Sequence, residues 1–246
     1  MTGGNVGIGF ECAKLILATL PNVHLILGCR DPQRAAQGVK NLEPFVAEGN
    51  TVEYRPLELA SFASVRHFAQ DIVSSFPDGI HTLILNAGLM VFSRQLTEDG
   101  HEMNMQVNHL SHFLLAQLLM PTLRAGHKAW PEDPSCIVIV SSSLHKPGVG
   151  RGKGPSLTIE NVDGSIEFDG MVMYRNSKLC QAMCMHVLSA SLTDDNAINV
   201  NAVSGPTHLT SIHLPPSPPN FSPLEHLYND IFRNNRCVLD SSLRQT

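Results

Sequence analysis

A doubly wound parallel α/β sheet with helices on both faces is the architecture this sequence predicts. Three observations point to it. Short apolar runs alternate with helix-length amphipathic segments, the signature of strand–helix–strand units. The run Ile80 to Asn86 is almost continuously apolar, as a strand covered on both faces must be. Glycines at 3, 7 and 9 precede an apolar-periodic segment, the pattern of a tight turn feeding a helix.

The elements follow in order. Residues 7–19 read as a helix, and His24 to Cys29 as a short strand. Asp31 followed by Pro32 supplies an N-cap and a first-turn proline for a helix over 32–47. Val52 to Leu59 is the next strand. Ser61 caps a helix reaching about Ser75, and the buried strand Ile80 to Asn86 follows. A long helix spans about 100–125, a strand 135–143, a helix 171–193 and a last clear strand Ile198 to Val203. Right-handed crossovers between parallel strands complete the expected topology. Residues 144–169 form a Gly- and Lys-containing insert before the last long helix; it is either functional or a mobile surface excursion.

Composition narrows the function classes. The chain has 246 residues, enough for one full α/β core, and only 16% of them are charged, which implies a large interior. The net charge is −5 and no basic run exists, so a nucleic-acid partner lacks its electrostatic footprint. The six cysteines are scattered and read as thiols of a reducing compartment. Cys180 and Cys184 share a helix face without further obvious ligands, the histidines lack metal-site spacing, and no metal is expected. His109 and His112 read as packing or surface residues. Neither a signal peptide nor a membrane-length apolar run is visible; the expected location is cytoplasmic.

Chemistry enters with Tyr174 and Lys178. Four residues apart on a helix, they share a face. A free phenol has a pKa near ~10, and a neighbouring ammonium is expected to lower it. Such a tyrosine exchanges protons with an alcohol or carbonyl. The spacing alone arises by chance in many helices. Its meaning sharpens with the Gly-rich opening, Asn86-Ala87-Gly88 and the triplet Ser141 to Ser143 in the same chain and in this order.

Together these pieces resemble the short-chain dehydrogenase/reductase family: TGGNVGIG (2–9), NAG (86–88), Asn108 within MQVNH, IVIVSSS (137–143) and YRNSK (174–178). GCRDPQRA (28–35), MQVNHLSHFLLAQLL (105–119) and the insert ending FDGMVMYRNSKLC (168–180) resemble the branch of retinol dehydrogenases, the WW domain-containing oxidoreductase and light-dependent protochlorophyllide reductase. The resemblance implies a Rossmann-like fold and a nicotinamide cofactor, with Tyr174, Lys178, Ser142 and Asn108 as catalytic residues. Tyr174 would exchange the proton, Lys178 would hold the nicotinamide ribose, and Ser142, chosen over Ser143, would bond the substrate oxygen. Asn108 would support a water that relays protons through Lys178.

The same resemblance places Thr2, Gly3, Gly7, Ile8 and Gly9 at the pyrophosphate. It puts Glu58 and Leu59 near the adenine, Asn86, Ala87 and Gly88 along the adenosine ribose, and Thr207 at the nicotinamide amide. Arg30 follows the second family strand. There a guanidinium suits the 2′-phosphate, so NADP(H) is expected over NAD(H), unless Arg30 is a solvated surface residue. The implied substrate is a lipophilic alcohol or carbonyl, retinoid-, steroid- or isoprenoid-like. The long helices over 100–125 and 171–193 would pair two copies as a homodimer.

Both ends depart from the family pattern. Its first strand should precede Thr2, so the sheet is expected without that strand. Ser204-Gly205-Pro206-Thr207 replaces the usual Pro-Gly, and prolines at 215, 216, 218, 219 and 223 suit neither helix nor central strand. The expected division is an incomplete NADP-binding domain over 1–211 and a Pro-rich tail over 212–246. A fragment, splice form or faulty gene model of an enzyme is one reading; a genuine short variant is another. A longer parent could carry a membrane anchor and reside in the endoplasmic reticulum or a plastid. The alternatives to catalysis are a truncated binding or regulatory isoform and a silent nucleotide sensor; protochlorophyllide reduction is the narrower enzymatic one.

Overall fold

The computed structural model of the chain describes residues 1–192 and 196–205. Five strands run parallel in two groups. β1 (His24–Cys29) pairs with β2 (Thr51–Pro56), Leu27 opposite Tyr54. β4 (Ser135–Ser142) lies between β3 (Thr82–Leu85) and β5 (Ile198–Gly205), Ile137 opposite Leu83 on one side and Val200 on the other.

Residues Met1–Gly3 join the two groups. Thr2 forms an isolated parallel bridge with Gly28. Gly28 N donates to Met1 O at 2.8 Å and Gly3 N to Gly28 O at 2.9 Å, while Thr2 N reaches Ile84 O on the other side at 2.9 Å. Among the described residues no complete strand separates β1 from β3, as expected, but neither edge is wholly bare. A three-residue seam holds the end of each strand that lies toward the site.

Alternation along the central strands sets up the two helical layers, because successive side chains point to opposite faces. Leu83, Leu85, Ile137 and Ile139 pack with α3 (Phe62–Ser75), α5 (Ser111–Ala129) and α6 (Gly170–Ser191) through Val65, Leu115, Leu119 and Leu188. Ile84 and Val138 face the other way, onto Cys12 and Ile16 of α1 (Gly7–Thr19) and Leu20 just after it. α2 (Pro32–Leu42) joins α1 over β1 through Ala35, Leu42, Leu17 and Leu27. Each fully buried leucine or isoleucine contributes about 1.5–3 kcal/mol, so the doubly covered strands anchor the fold.

Local chemistry sets the boundaries. Asp31 caps α2 by accepting from Gln33 N at 2.9 Å and Arg34 N at 3.0 Å. That helix stops at Leu42, short of the expected 47, and a 3₁₀ turn (Glu43–Phe45) follows. Pro44 has no N–H with which to extend the α ladder. β2 ends at Pro56 rather than Leu59: Ser64 Oγ takes the Glu58 N–H at 2.9 Å, and the Glu58 carboxylate takes Ala60 N at 2.8 Å, turning the chain towards α3. The long helix begins later than expected. A short α4 (Met103–Met105), capped by Glu102, runs through a π-helical turn (Gln106–Leu110) into α5. Asp169 caps α6. Among the described residues, no helix is long and apolar enough to cross a membrane.

Candidate active site

The seam delivers the chain into a turn. Gly3 and Gly7 take φ of 66° and 61°, the left-handed region that favours glycine. A Cβ on Gly9 would run into the Gly3 carbonyl and the Asn86 amide. α1 then starts at Gly7 with no side-chain cap, so its first N–H groups face outward with the positive end of the helix dipole behind them. Such a terminus suits a pyrophosphate, and Ile8 behind it packs on the α1 core.

Thr2 fixes this turn to the loop after β3. Its hydroxyl accepts from Asn86 N at 3.0 Å and Ala87 N at 2.9 Å. The Asn86 amide donates to Thr2 O and Gly3 O, each at 3.0 Å. Asn86 therefore stitches the turn together rather than presenting its amide to an adenosine ribose. Gly88 also differs from expectation: a Cβ there would lie 3.2 Å from Asn108 Oδ1 and 3.5 Å from Lys178 Nζ, which puts it at the catalytic end.

At the other end of the turn, Arg30 follows β1 with its side chain two-thirds exposed and Nε 3.7 Å from a Glu58 carboxylate oxygen. Glu58 thus faces the cation expected to read a phosphate. Leu59 is a core residue, 5% exposed and packed beneath α3 and α5, so its side chain does not reach the site. Thr207 lies outside the described residues, as does the boundary expected at 211/212.

α6 and β4 build the catalytic cluster. Ser142 Oγ accepts from Leu144 N at 3.3 Å and is near enough to the Tyr174 phenol to pull its pKa down in part. Its neighbours do different work. Ser141 Oγ donates to Lys178 O at 3.1 Å, and Ser143 Oγ is buried without a partner. Lys178 is buried, and burial brings its pKa down to about 8. Its ammonium donates to Val140 O at 3.2 Å and lies 5.6 Å from the centre of the Tyr174 ring. One bond leaves two of three N–H donors for the hydroxyls of a ribose.

The expected lowering of the Tyr174 pKa is not observed. Burial pushes the phenol up, and Ser142 opposes this in part. The reason is geometric: the ammonium sits over the ring and bonds a backbone carbonyl, not the phenol.

Asn108 differs as well. In the π turn, Oδ1 accepts from Leu89 N at 2.8 Å, and Nδ2 donates to Leu89 O at 2.9 Å and Ser177 Oγ at 3.0 Å. Both amide hydrogens are engaged, so the side chain splints the 86–89 loop to α6 instead of holding a relay water. Its backbone carbonyl accepts from Gln181 Nε2 at 2.7 Å and faces His112 Nδ1 at 3.0 Å.

Sequence reasoning missed the residues that fasten the insert. Arg175, 1% exposed, donates to Val149 O at 2.7 Å and Arg151 O at 2.9 Å. Asn176 accepts from Ser156 N at 2.8 Å and donates to Ser156 O at 2.9 Å. Arg94 reaches Asp163 at 3.2 Å. The signal lay in two polar residues, Arg175 and Asn176, placed between Tyr174 and Ser177, where the helix buries a run of polar side chains from Arg175 to Lys178. Among the described residues, no cluster of His, Cys, Asp or Glu could hold a metal ion.

Comparison with known proteins agrees with this arrangement. The family model for short chain dehydrogenase matches residues 1–151. Polyprenol dehydrogenase of Danio rerio is 33% identical over 82% of this chain and 59% of its own length. WW domain-containing oxidoreductase of Gallus gallus is 34% identical over 87% and 49%, and human retinol dehydrogenase 14 is 33% identical over 82% and 59%. The chain thus spans about half to three-fifths of these relatives. Among solved structures, an uncharacterized protein from Mycobacterium paratuberculosis superposes with a TM-score of 0.68 at 27% identity, covering 86% of this chain and 68% of the other. The Pseudomonas aeruginosa RhlG/NADP active-site complex gives 0.63 at 25%, covering 82% and 69%. On the family match and these relatives, the chain belongs to the short-chain dehydrogenase/reductase family.

Proposed function

We propose that the protein is an NADP(H)-dependent oxidoreductase that interconverts a lipophilic alcohol, retinoid-, steroid- or isoprenoid-like, with its carbonyl. The closeness of Ser142 to Tyr174 at the end of β4 carries this reading, since it brings two hydroxyls to one place beside Lys178. In the reducing direction Tyr174 gives its phenolic proton to the substrate oxygen, and Ser142 steadies the charge that develops there. Lys178, whose ammonium would lie 3.5 Å from a Cβ on Gly88, holds the cofactor ribose. A bound nicotinamide nucleotide supplies the hydride.

NADP(H) is the cofactor this reading favours because Arg30 presents a solvent-facing guanidinium after β1. The substrate class is supported by the names of the polyprenol and retinol dehydrogenases that the chain is similar to. Two copies would pair through α5 and α6, where Phe113, Met183 and Val187 stand 42%, 53% and 68% exposed.

The test is NADPH oxidation by the purified chain with all-trans-retinal, beside Tyr174→Phe. Turnover that the substitution removes supports the reading. Equal turnover in both proteins would overturn the assignment of the acid, and saturable NADPH binding without turnover would favour a binding or regulatory protein.

A further inference from the structure

His112 sits on the buried side of α5, in none of the roles assigned above, with 2% of its surface exposed. Its ring contacts fix its chemistry. Nδ1 lies 3.0 Å from Asn108 O, a carbonyl that only accepts, so Nδ1 carries the proton. Nε2 is then an acceptor and takes the hydroxyl proton of Thr2 at 3.0 Å. Burial keeps the ring neutral by pulling its pKa down to about 3.

Both partners depend on this tautomer. Thr2 Oγ1 already accepts from Asn86 N and Ala87 N, and donating to His112 completes its bonding. On the far side, the Asn108 carbonyl takes Gln181 of α6 as its second donor. The Asn108 amide donates to Ser177 Oγ, and Ser177 Oγ donates to Tyr174 O at 2.7 Å. A path of hydrogen bonds, passing through the backbone and side chain of Asn108, thus runs from the glycine turn to the backbone of the catalytic tyrosine. An imidazole suits the middle of it, because one neutral ring offers a donor and an acceptor on well-separated edges. A phenyl ring of similar size offers neither.

We infer that His112 is a positioning residue that couples the cofactor turn at Thr2 to the catalytic helix through the Asn108 carbonyl. This rests on the oxidoreductase reading for its consequence in catalysis, but not for its geometry. The fixed ring sets the distance between the elements that seat the cofactor and the helix that carries Tyr174 and Lys178. Loss of the link lets the two drift, so both cofactor affinity and turnover suffer although His112 touches no reacting atom.

The test uses the full chain and two readouts. Proton–nitrogen correlation spectra of histidine-labelled protein should show one ring, absent in His112→Phe, locked with Nδ1 protonated and Nε2 bare. An Nε2–H tautomer, or averaging between the two forms, overturns the inference, and His112→Gln gives the same assignment should His112→Phe fail to fold. NADPH affinity is then measured for Thr2→Val, His112→Phe and the double variant. Each single change should weaken binding about tenfold, with the double variant little worse than either, and His112→Gln, which keeps an acceptor for Thr2, should recover part of the loss. His112→Phe binding within about twofold of the parent, or effects that simply multiply, overturns it. Absence of NADPH binding by the parent would sink the oxidoreductase reading instead, and the tautomer would still decide the link.

Discussion

The Lys178 ammonium bonds the Val140 carbonyl and lies over the face of Tyr174, 5.6 Å from the ring centre, rather than beside the phenolic oxygen. Lysine therefore acts first as a buried donor beneath the site, and serine is the residue that meets the phenol. Removing the phenol should lower kcat by about 10²- to 10⁴-fold, while Ser142→Ala should cost less. Neither should change the NADPH dissociation constant by more than about twofold. Steady-state rates and calorimetric binding on the same preparations check both.

Burial of Lys178 also predicts a pH profile. Its folded pKa is about 8, against 10.5 for an ordinary lysine. kcat/KM, which reports free-enzyme ionisations, should fall as pH rises through about 8, when the ammonium is lost. Stability moves the opposite way. The unfolded state holds this proton up to higher pH, so the stability penalty is absent above 10.5, grows as pH falls to 8 and is constant below. Lys178→Met should therefore raise the melting temperature at neutral pH while removing turnover. The removed penalty is on the order of 3 kcal/mol.

Acid should weaken the fold through two histidines on the π turn and α5. Burial lowers His109 to about 4 and His112 to about 3, both from 6.5. Above pH 6.5 both are neutral in either state and cost nothing. As pH falls from 6.5 the unfolded chain gains protons that the folded one refuses, and stability declines down to about pH 4 and 3 respectively. Urea midpoints between pH 7 and 4 should drop, and His109→Leu should flatten part of that slope.

Cofactor choice should respond to the Arg30–Glu58 pair. Arg30→Ala should weaken NADPH by about tenfold or more and NADH much less, since a guanidinium–phosphate bond is charge-assisted. Glu58→Gln frees the guanidinium and should tighten NADPH by roughly two- to fivefold, in keeping with the small worth of an exposed ion pair. Competition binding of the two nucleotides distinguishes these outcomes.

Asn176 holds Ser156 by two bonds, so Asn176→Ala should release the insert. Limited proteolysis should then cut within 149–156 sooner than in the parent, and KM for the carbonyl should rise more than kcat falls.

The sequence carried the layers of this fold because alternation and apolar runs are local signals: His24–Cys29 and the buried runs ending at Leu85 and Ser142 are strands where expected. Pro44 and the Glu58 side chain shortened two elements through backbone donors that periodicity ignores. The site was legible as a set of residues but not as an arrangement. Spacing put Lys178 beside Tyr174 yet could not show which way the ammonium points, nor that Val140 takes one of its donors. Asn108 was marked only by the family resemblance. That its amide binds Leu89 and Ser177 depends on a π turn that no sequence period encodes. Arg175, Asn176 and His112 were hidden because their partners are backbone groups or residues distant in the chain.

The seam at Met1–Gly3 gives cofactor binding a mechanical meaning. The residues that rivet β1 to β3 lead straight into the glycine turn, so a nucleotide seated at α1 braces the line along which the sheet is least continuous. Occupancy and cohesion become one equilibrium. Amide hydrogens flanking that line, at Gly28 and Thr2, should exchange slowly when nucleotide is bound and open first when it leaves.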